Sequence, residues 1–236
     1  MPTDRLREIL TLLASREGSG SGTARLCEVA AEVSGTSGAG FMLLSDDLAR
    51  GSLCSTGGLA TYLDDLQYTL GEGPAVDAHR NGKVVFEPDL DSPSLPRWTV
   101  LAPLAVRAGV RGIFGFPVRI GAVRLGALTL YRDRSGPLDD NHYADALIMA
   151  DVAARTIVDL QSNTPQSGVA LKLEGGANFH FVVHQAAGRT SVQLQITITE
   201  ALIRLRGHAF RTDQSIDEVA RAVVGRHLRL DASDGR

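Results

Sequence analysis

The chain has 236 residues, with 24 Lys+Arg against 27 Asp+Glu and a formal net charge of −3. That length suits one large domain or two modest ones. The mild acidity excludes a protein that binds polyanions through bulk positive charge alone. No apolar run is long enough for a bilayer span. Met1-Pro2-Thr3-Asp4 lacks the basic-then-apolar start of a signal peptide, so a cytoplasmic protein with no membrane partner is expected. Cys27 and Cys54 lie far apart and outside any metal-ligand spacing, and each reads as a reduced thiol.

Leu6, Ile9, Leu10 and Leu13 mark a first amphipathic helix. The Gly18–Gly22 run breaks it. A second helix is predicted over Thr23–Val33, with Leu26, Val29, Ala30 and Val33 inward. Ala39–Ser45 is a short apolar strand. Gly51–Thr56 is its hairpin partner across the turn-forming Asp46-Asp47. A helix over Leu59–Leu66 leads through Tyr68–Pro74 into a helix carrying Val76, Asp77, Ala78 and His79. Lys83–Glu87 reads as a strand, Asp89–Pro96 as a polar loop and Trp98–Ala108 as a short helix. Gly112–Ile120 alternates, with Phe114, Phe116, Val118 and Ile120 on one face. Gly121-Ala122 turns the chain into the returning strand Val123–Tyr131. Leu138–Gln161 is the longest helix. Its Tyr143, Leu147, Ala150, Ala154 and Ile157 form a coiled-coil-like stripe, suited to packing on the sheet, on a partner subunit, or on both. This order implies an α+β domain over 1–161, with an antiparallel sheet and helices.

Residues 162–176 read as a linker and connector, 177–230 as a small all-α three-helix domain, and 231–236 as a tail. The first of the three helices covers Phe179–Leu194, with Val183, Ala187, Thr190 and Leu194 on its apolar face. Thr197-Ile198-Thr199-Glu200 and Ser215-Ile216-Asp217-Glu218 are capping boxes that start the other two. Leu202, Leu205 and Ala209 line the second helix inside. Ile216, Ala220, Val223 and His227 line the third. Residues 178–230 hold seven arginines against four acids, and residues 1–168 hold 15 Lys+Arg against 20 Asp+Glu. A mildly basic module follows a more acidic one. Arginine offers a planar donor fork that grips phosphate or a base edge and stacks on a base.

Val183-His184-Gln185-Ala186-x-Gly188, Glu200-Ala201-Leu202-x-Arg204-Leu205-Arg206-x-His208-Ala209-Phe210 and Glu218-Val219-Ala220-x-x-Val223-Val224-x-Arg226-x-Leu228 resemble the ANTAR domain. That resemblance implies a three-helix RNA-binding module of bacterial transcription antiterminators, holding paired stem-loops in nascent mRNA so that a terminator does not form. Gln185, Gly188, Arg189, Arg204, Arg206, His208, Arg211 and Arg221 are the candidate RNA-binding residues. Gln185 offers a donor and an acceptor to an unstacked base. Arg206 and His208 suit a loop base, and the remaining arginines suit phosphates. Gly188 either admits backbone close to RNA or, the favoured reading, lets the second helix pack closely.

Gly71-Glu72-Gly73-Pro74-x-x-Asp77-Ala78, Arg97-Trp98, Gly109-Val110-Arg111, Phe116-Pro117-Val118-Arg119 and Leu125-Gly126-Ala127-Leu128 resemble a GAF domain, of the bacterial kind joined to ANTAR. This implies a sensory and dimerisation module with a pocket for an unidentified small ligand, and a homodimer formed through Leu138–Gln161. Asp77, His79, Asp89, Trp98 and Arg111 are the pocket candidates. Against each stands a structural reading, in which Trp98 is core and Asp89 caps a turn. No cofactor, metal or catalytic residue is expected. Walker and Gly-x-Ser-x-Gly motifs are absent, and Asp46-Asp47, Asp64-Asp65 and Asp139-Asp140 read as turns and helix starts. The sequence therefore implies a non-enzymatic, signal-responsive antiterminator. A DNA-binding helix-turn-helix variant and a pure protein-interaction module remain as alternatives.

Overall fold

The computed structural model describes residues 2–15, 22–45, 48–93, 97–162, 178–212 and 214–231. The chain divides into two compact units, Met1–Asn178 and Phe179–Arg236. The turn expected at Asp46-Asp47, the glycine-rich break over 18–21 and the linker from residue 163 to 176 lie outside the described residues.

The first unit opens with α1 (Pro2–Ser15) and α2 (Gly22–Val33). The hairpin of β1 (Gly38–Ser45) and β2 (Leu48–Ser55) follows, and then α3 (Gly58–Leu70) and α4 (Pro74–Asn81). The unit continues through β3 (Val85–Glu87), α5 (Leu101–Arg107), β4 (Gly112–Ile120), β5 (Val123–Arg132) and α6 (Asp140–Ser162). Its five strands run in the order β3-β4-β5-β1-β2, and each neighbouring pair is antiparallel. A two-residue strand, β6 (Asn178–Phe179), falls at the boundary of the units.

The sheet has two unlike faces. Phe114, Phe116 and Val118 of β4, Leu128 and Leu130 of β5 and Phe41 of β1 are all buried. Phe116 meets Tyr143 of α6 at a 5.8 Å ring-centroid distance, so this apolar face lies under α6. The opposite face mixes the small or polar Gly40, Gly115, Thr129 and Tyr131 with the buried apolar Met42 and Ile113. A side chain on Gly40 would meet the Asp64 carboxylate of α3, and one on Gly115 would collide with the Pro74 carbonyl of α4. These two glycines let α3 and α4 approach the sheet closely.

Several expectations need correction. Ile120 does not continue the buried row of β4; it is exposed, because the β4–β5 hairpin projects past the helices. Ile113 and Gly115, on the other face of that strand, are buried too, as a sheet covered on both sides requires. The stripe on α6 packs on the sheet, one of the placements expected for it, and on α2, with Ala150, Ala154 and Ile157 buried while Leu147 is exposed. Leu10 also faces outward. Asp64-Asp65 does not sit at a turn or helix start but in the middle of α3, where Asp64 is buried. Tyr68–Leu70 belongs to α3, whose end is set by Gly71 in the left-handed region, with φ of 67°.

The cysteines are not separate thiols. Cys27 and Cys54 form a disulfide with a Cα–Cα distance of 6.0 Å. They are distant in sequence, but α2 packs across β2 and brings them together. A β-bulge makes this possible. Phe41 pairs with Cys54 and Met42 with Ser52, so Leu53 is an extra residue on β2. The bulge breaks the usual alternation of side chains. Cys54 therefore reaches α2 on one side of the sheet, while Ser52 reaches α3 on the other.

The second unit is a three-helix arrangement of α7 (Phe181–Leu194), α8 (Ile198–Thr212) and α9 (Ile216–Val224). Both capping boxes are formed. Thr197 Oγ1 accepts from Glu200 N while the Thr197 N–H donates to Glu200 Oε2, and Ser215 and Glu218 exchange the same pair of bonds. Val183, Ala186 and Ala187 of α7, Ala201, Leu202, Leu205 and Ala209 of α8, and Ile216, Val219, Ala220 and Val223 of α9 form the core. His227 departs from expectation: α9 has ended by then and the residue is exposed. Instead the chain turns back, Leu230 is buried, and Gln193 Nε2 donates to its carbonyl at 2.8 Å.

Candidate functional site

In the first unit the α3–α4 turn, the start of α5 and residues 97–98 come together. Trp98 Nε1 donates to Asp77 Oδ2 at 2.9 Å. The Arg97 guanidinium lies 4.9 Å over the same ring, and Glu72 Oε1 accepts from the backbone N–H groups of Val100 and Leu101 at 3.0 and 2.8 Å. Glu72 thus satisfies the orphan donors at the start of α5. Of the five pocket candidates, Asp77 and Trp98 are joined directly. Trp98 is buried and has a left-handed backbone, with φ of 53°.

The other three candidates sit apart from that pair. His79 is buried on α4, and its carbonyl accepts from Arg124 at 3.1 Å. Asp89 accepts from Ser135 Oγ at 3.2 Å. Arg111 pairs with Asp91 at 3.0 Å and donates to the Val106 and Val110 carbonyls. The Asp89 and Arg111 bonds hold loops.

The polar chemistry of this face is deeper than the sequence reading placed it. Gln67 Oε1 accepts from Ala75 N at 2.8 Å, and its amide donates to Thr129 Oγ1 at 3.3 Å. Asp64 Oδ2 accepts from Ser52 Oγ at 2.7 Å, while Asp64 Oδ1 is buried without a hydrogen-bond partner. Burial pushes the Asp64 carboxyl up to about 7; the Ser52 hydrogen bond opposes the shift only in part, and Asp65 adds to it. Only the helical spacing of α3 could have pointed to Asp64 and Gln67, since Ala60, Leu63, Asp64, Gln67 and Tyr68 share its buried side. A cleft of about 460 Å3 opens elsewhere in this unit, lined by Arg5, Glu8, Glu32, Asn141, His142 and Asp145 among others.

In the second unit the candidate residues divide into outward groups and groups that also brace the fold. Gln185, Arg189, Arg211 and Arg221 are exposed, and Gly188, Arg204, Arg206 and His208 are half-buried. Arg189 donates to the Val224 carbonyl at the end of α9, and Arg204 donates to the Asp231 carbonyl. Arg211 donates to His208 Nδ1 at 3.2 Å. Gly188 does not serve helix packing: a Cβ built there meets no atom within 4 Å. An unforeseen pair is His180 Nδ1, buried, donating to Asp217 Oδ2 at 2.7 Å. Burial acts to raise the Asp217 carboxyl, but the His180 hydrogen bond and the nearby His180 and Arg221 charges outweigh it and hold the group below its usual value.

The α3–α4–α5 face over a five-stranded antiparallel sheet defines the class of the first unit. A family model for the GAF domain matches residues 23–158, and the chain belongs to the GAF domain family. The second unit lies outside that match. Solved structures similar to the chain include the GAF domain of a phosphoenolpyruvate-protein phosphotransferase from Coxiella burnetii. It is 15% identical, with a TM-score of 0.51 over 68% of this chain and 95% of that one. The corresponding Acinetobacter domain is 12% identical, with a TM-score of 0.49 over 70% and 96%. A type II free methionine-R-sulfoxide reductase from Thermoplasma acidophilum is 17% identical, with a TM-score of 0.44 over 58% and 89%. The Coxiella likeness speaks to fold. No curated protein matches the chain in sequence. A GAF domain points to signal sensing through a small ligand. Among the described residues, no helix is long and apolar enough to cross a membrane, and no cluster of His, Cys, Asp and Glu has the form of a metal site.

Proposed function

We propose that the chain is a non-enzymatic, signal-responsive RNA-binding regulator. Its GAF unit senses a small ligand on the α3–α4–α5 face, and its C-terminal unit acts as an ANTAR-like module that holds stem-loops of nascent mRNA against terminator formation. One observation carries the reading. The apolar residues of the ANTAR resemblance, Val183, Ala186, Ala201, Leu202, Leu205, Ala209, Val219, Ala220 and Val223, are buried, while Gln185 of the resemblance and the further candidates Arg189, Arg211 and Arg221 face out, as an RNA-binding bundle requires. A homodimer through α6 would present two such modules to two hairpins, raising the effective concentration of the second contact. Leu147 and Val158 are the exposed apolar residues on α6 available for that contact. Duplex DNA is the poorer ligand, because α9 opens with Asp217 and Glu218, which repel phosphates.

The test is fluorescence anisotropy of the full chain with an RNA of two stem-loops, the same stems with scrambled loops, and duplex DNA of equal length. Tighter binding of the intact stem-loops by tenfold or more supports the proposal. Equal binding of all three excludes it.

A further inference from the structure

The outward side of α8 carries apolar groups that the core does not use. Ile203 and Phe210 are 57% and 61% exposed, and Gly207 between them is exposed as well. At about 100° per residue these three fall within a sector roughly 60° wide. Arg206 borders that sector on one side, and Arg204 and Arg211 border it on the other. Seven residues of helix place Ile203 and Phe210 about 10 Å apart along the axis. Gly207 contributes no side chain between them. The result is a notch with an aromatic wall, an aliphatic wall and arginine on both flanks. Stacked bases repeat every ~3.4 Å, so the notch has room for one flat ring.

We infer that this notch is a nucleobase site: an unpaired RNA base stacks on the Phe210 ring above Gly207, with Ile203 closing the far end and the flanking arginines holding the adjoining phosphates. The inference rests on the RNA-binding reading above and names a recognition element within it. Aromatic stacking tolerates any base and adds strongly to single-strand affinity. A second copy of the chain is a worse occupant. Two side chains are far short of the roughly 800 Å2 per partner that a stable interface buries, and arginines of like sign would face each other.

The experiment measures binding of the full chain to a two-stem-loop RNA with purine loops, and to the same RNA with abasic loops. Phe210→Ala should weaken binding to the intact RNA by about ten- to a hundredfold. It should leave binding to the abasic RNA equal to that of the unaltered protein, and Phe210→Trp should restore the loss. Gly207→Leu, which fills the notch with a better helix former, should reproduce the loss with no fall in melting temperature. This second variant keeps the test valid if Phe210→Ala disturbs folding. If the unaltered protein shows no preference for stem-loop RNA, the RNA-binding reading itself fails. If it does prefer stem-loops but neither variant changes affinity, or both weaken intact and abasic RNA alike, the notch is not a base site and the inference alone is overturned. A change of oligomeric state by sedimentation in both variants, with RNA affinity tracking it, also overturns the inference in favour of a protein contact.

Discussion

Asp64 should make the GAF unit less stable as pH rises, which is unusual for a carboxylate. Its folded value of about 7 lies above the ordinary 3.8. Between those two values the folded protein holds a proton that the unfolded chain has released. Stability is then lost with rising pH, by about 1.4 kcal/mol per unit. The contribution is intact below pH 4, declines from there to pH 7 and is gone above it, a total of about 4 kcal/mol. Asp64→Asn keeps the shape and the acceptor for Ser52 but removes the charge. The variant should match the original protein near pH 4 and exceed it by a few kcal/mol at pH 8. For a domain of this size each kcal/mol moves the melting temperature by about 2–4 °C, so a gap on the order of 10 °C should open at pH 8. Calorimetric melts of both proteins at four pH values from 4 to 8 measure it. Parallel curves, with a gap independent of pH, would refute the assignment of a neutral carboxyl at this position.

Further outcomes follow from other contacts. Reducing the Cys27–Cys54 disulfide, or replacing both cysteines by serine, should cost about 3.5 kcal/mol by loop-closure entropy over its 27-residue separation; melts with and without dithiothreitol check it, and no change refutes it. Gly188→Ala should stabilise α7 by about 0.5–1 kcal/mol, because a Cβ there meets nothing within 4 Å; a destabilised urea midpoint would restore the packing role. Gly115→Ala should destabilise by about 1–3 kcal/mol through overpacking against the Pro74 carbonyl, visible as a lower denaturation midpoint. Ser215→Ala removes one side of a formed capping box and should cost about 1 kcal/mol, read as earlier melting of the helical signal.

Local signals in the sequence carried most of the fold. The β4–β5 hairpin was legible from strict alternation around Gly121, and both capping boxes placed helix starts because each depends on residues three apart. Long-range facts were not legible. The Cys27–Cys54 pairing depends on α2 crossing a bulged strand, and no spacing rule contains that. Asp64 was misread because adjacent acids suggest a turn; its burial comes from Gly40 on another element making room for it. The pocket candidates were chosen by residue type. Asp77 and Trp98 do meet, whereas Asp89 and Arg111 serve their own loops through Ser135 and Asp91. On the C-terminal helices the arginines stood out by charge, whereas Phe210 was not singled out, because the sequence does not show that it stands exposed on α8.

The surplus residue Leu53 in β2 decides which layer of the molecule the side chains on either side of it serve. With Leu53 kept in the ladder at plain alternation, positions 52 and 54 would point the same way. Either the sulfur would lose its mate on α2 or the hydroxyl would abandon the acid on α3. Any event that loosens the sulfur bridge is also felt two positions away at Ser52, and through its hydrogen bond at the buried Asp64 carboxyl, which burial raises to about 7.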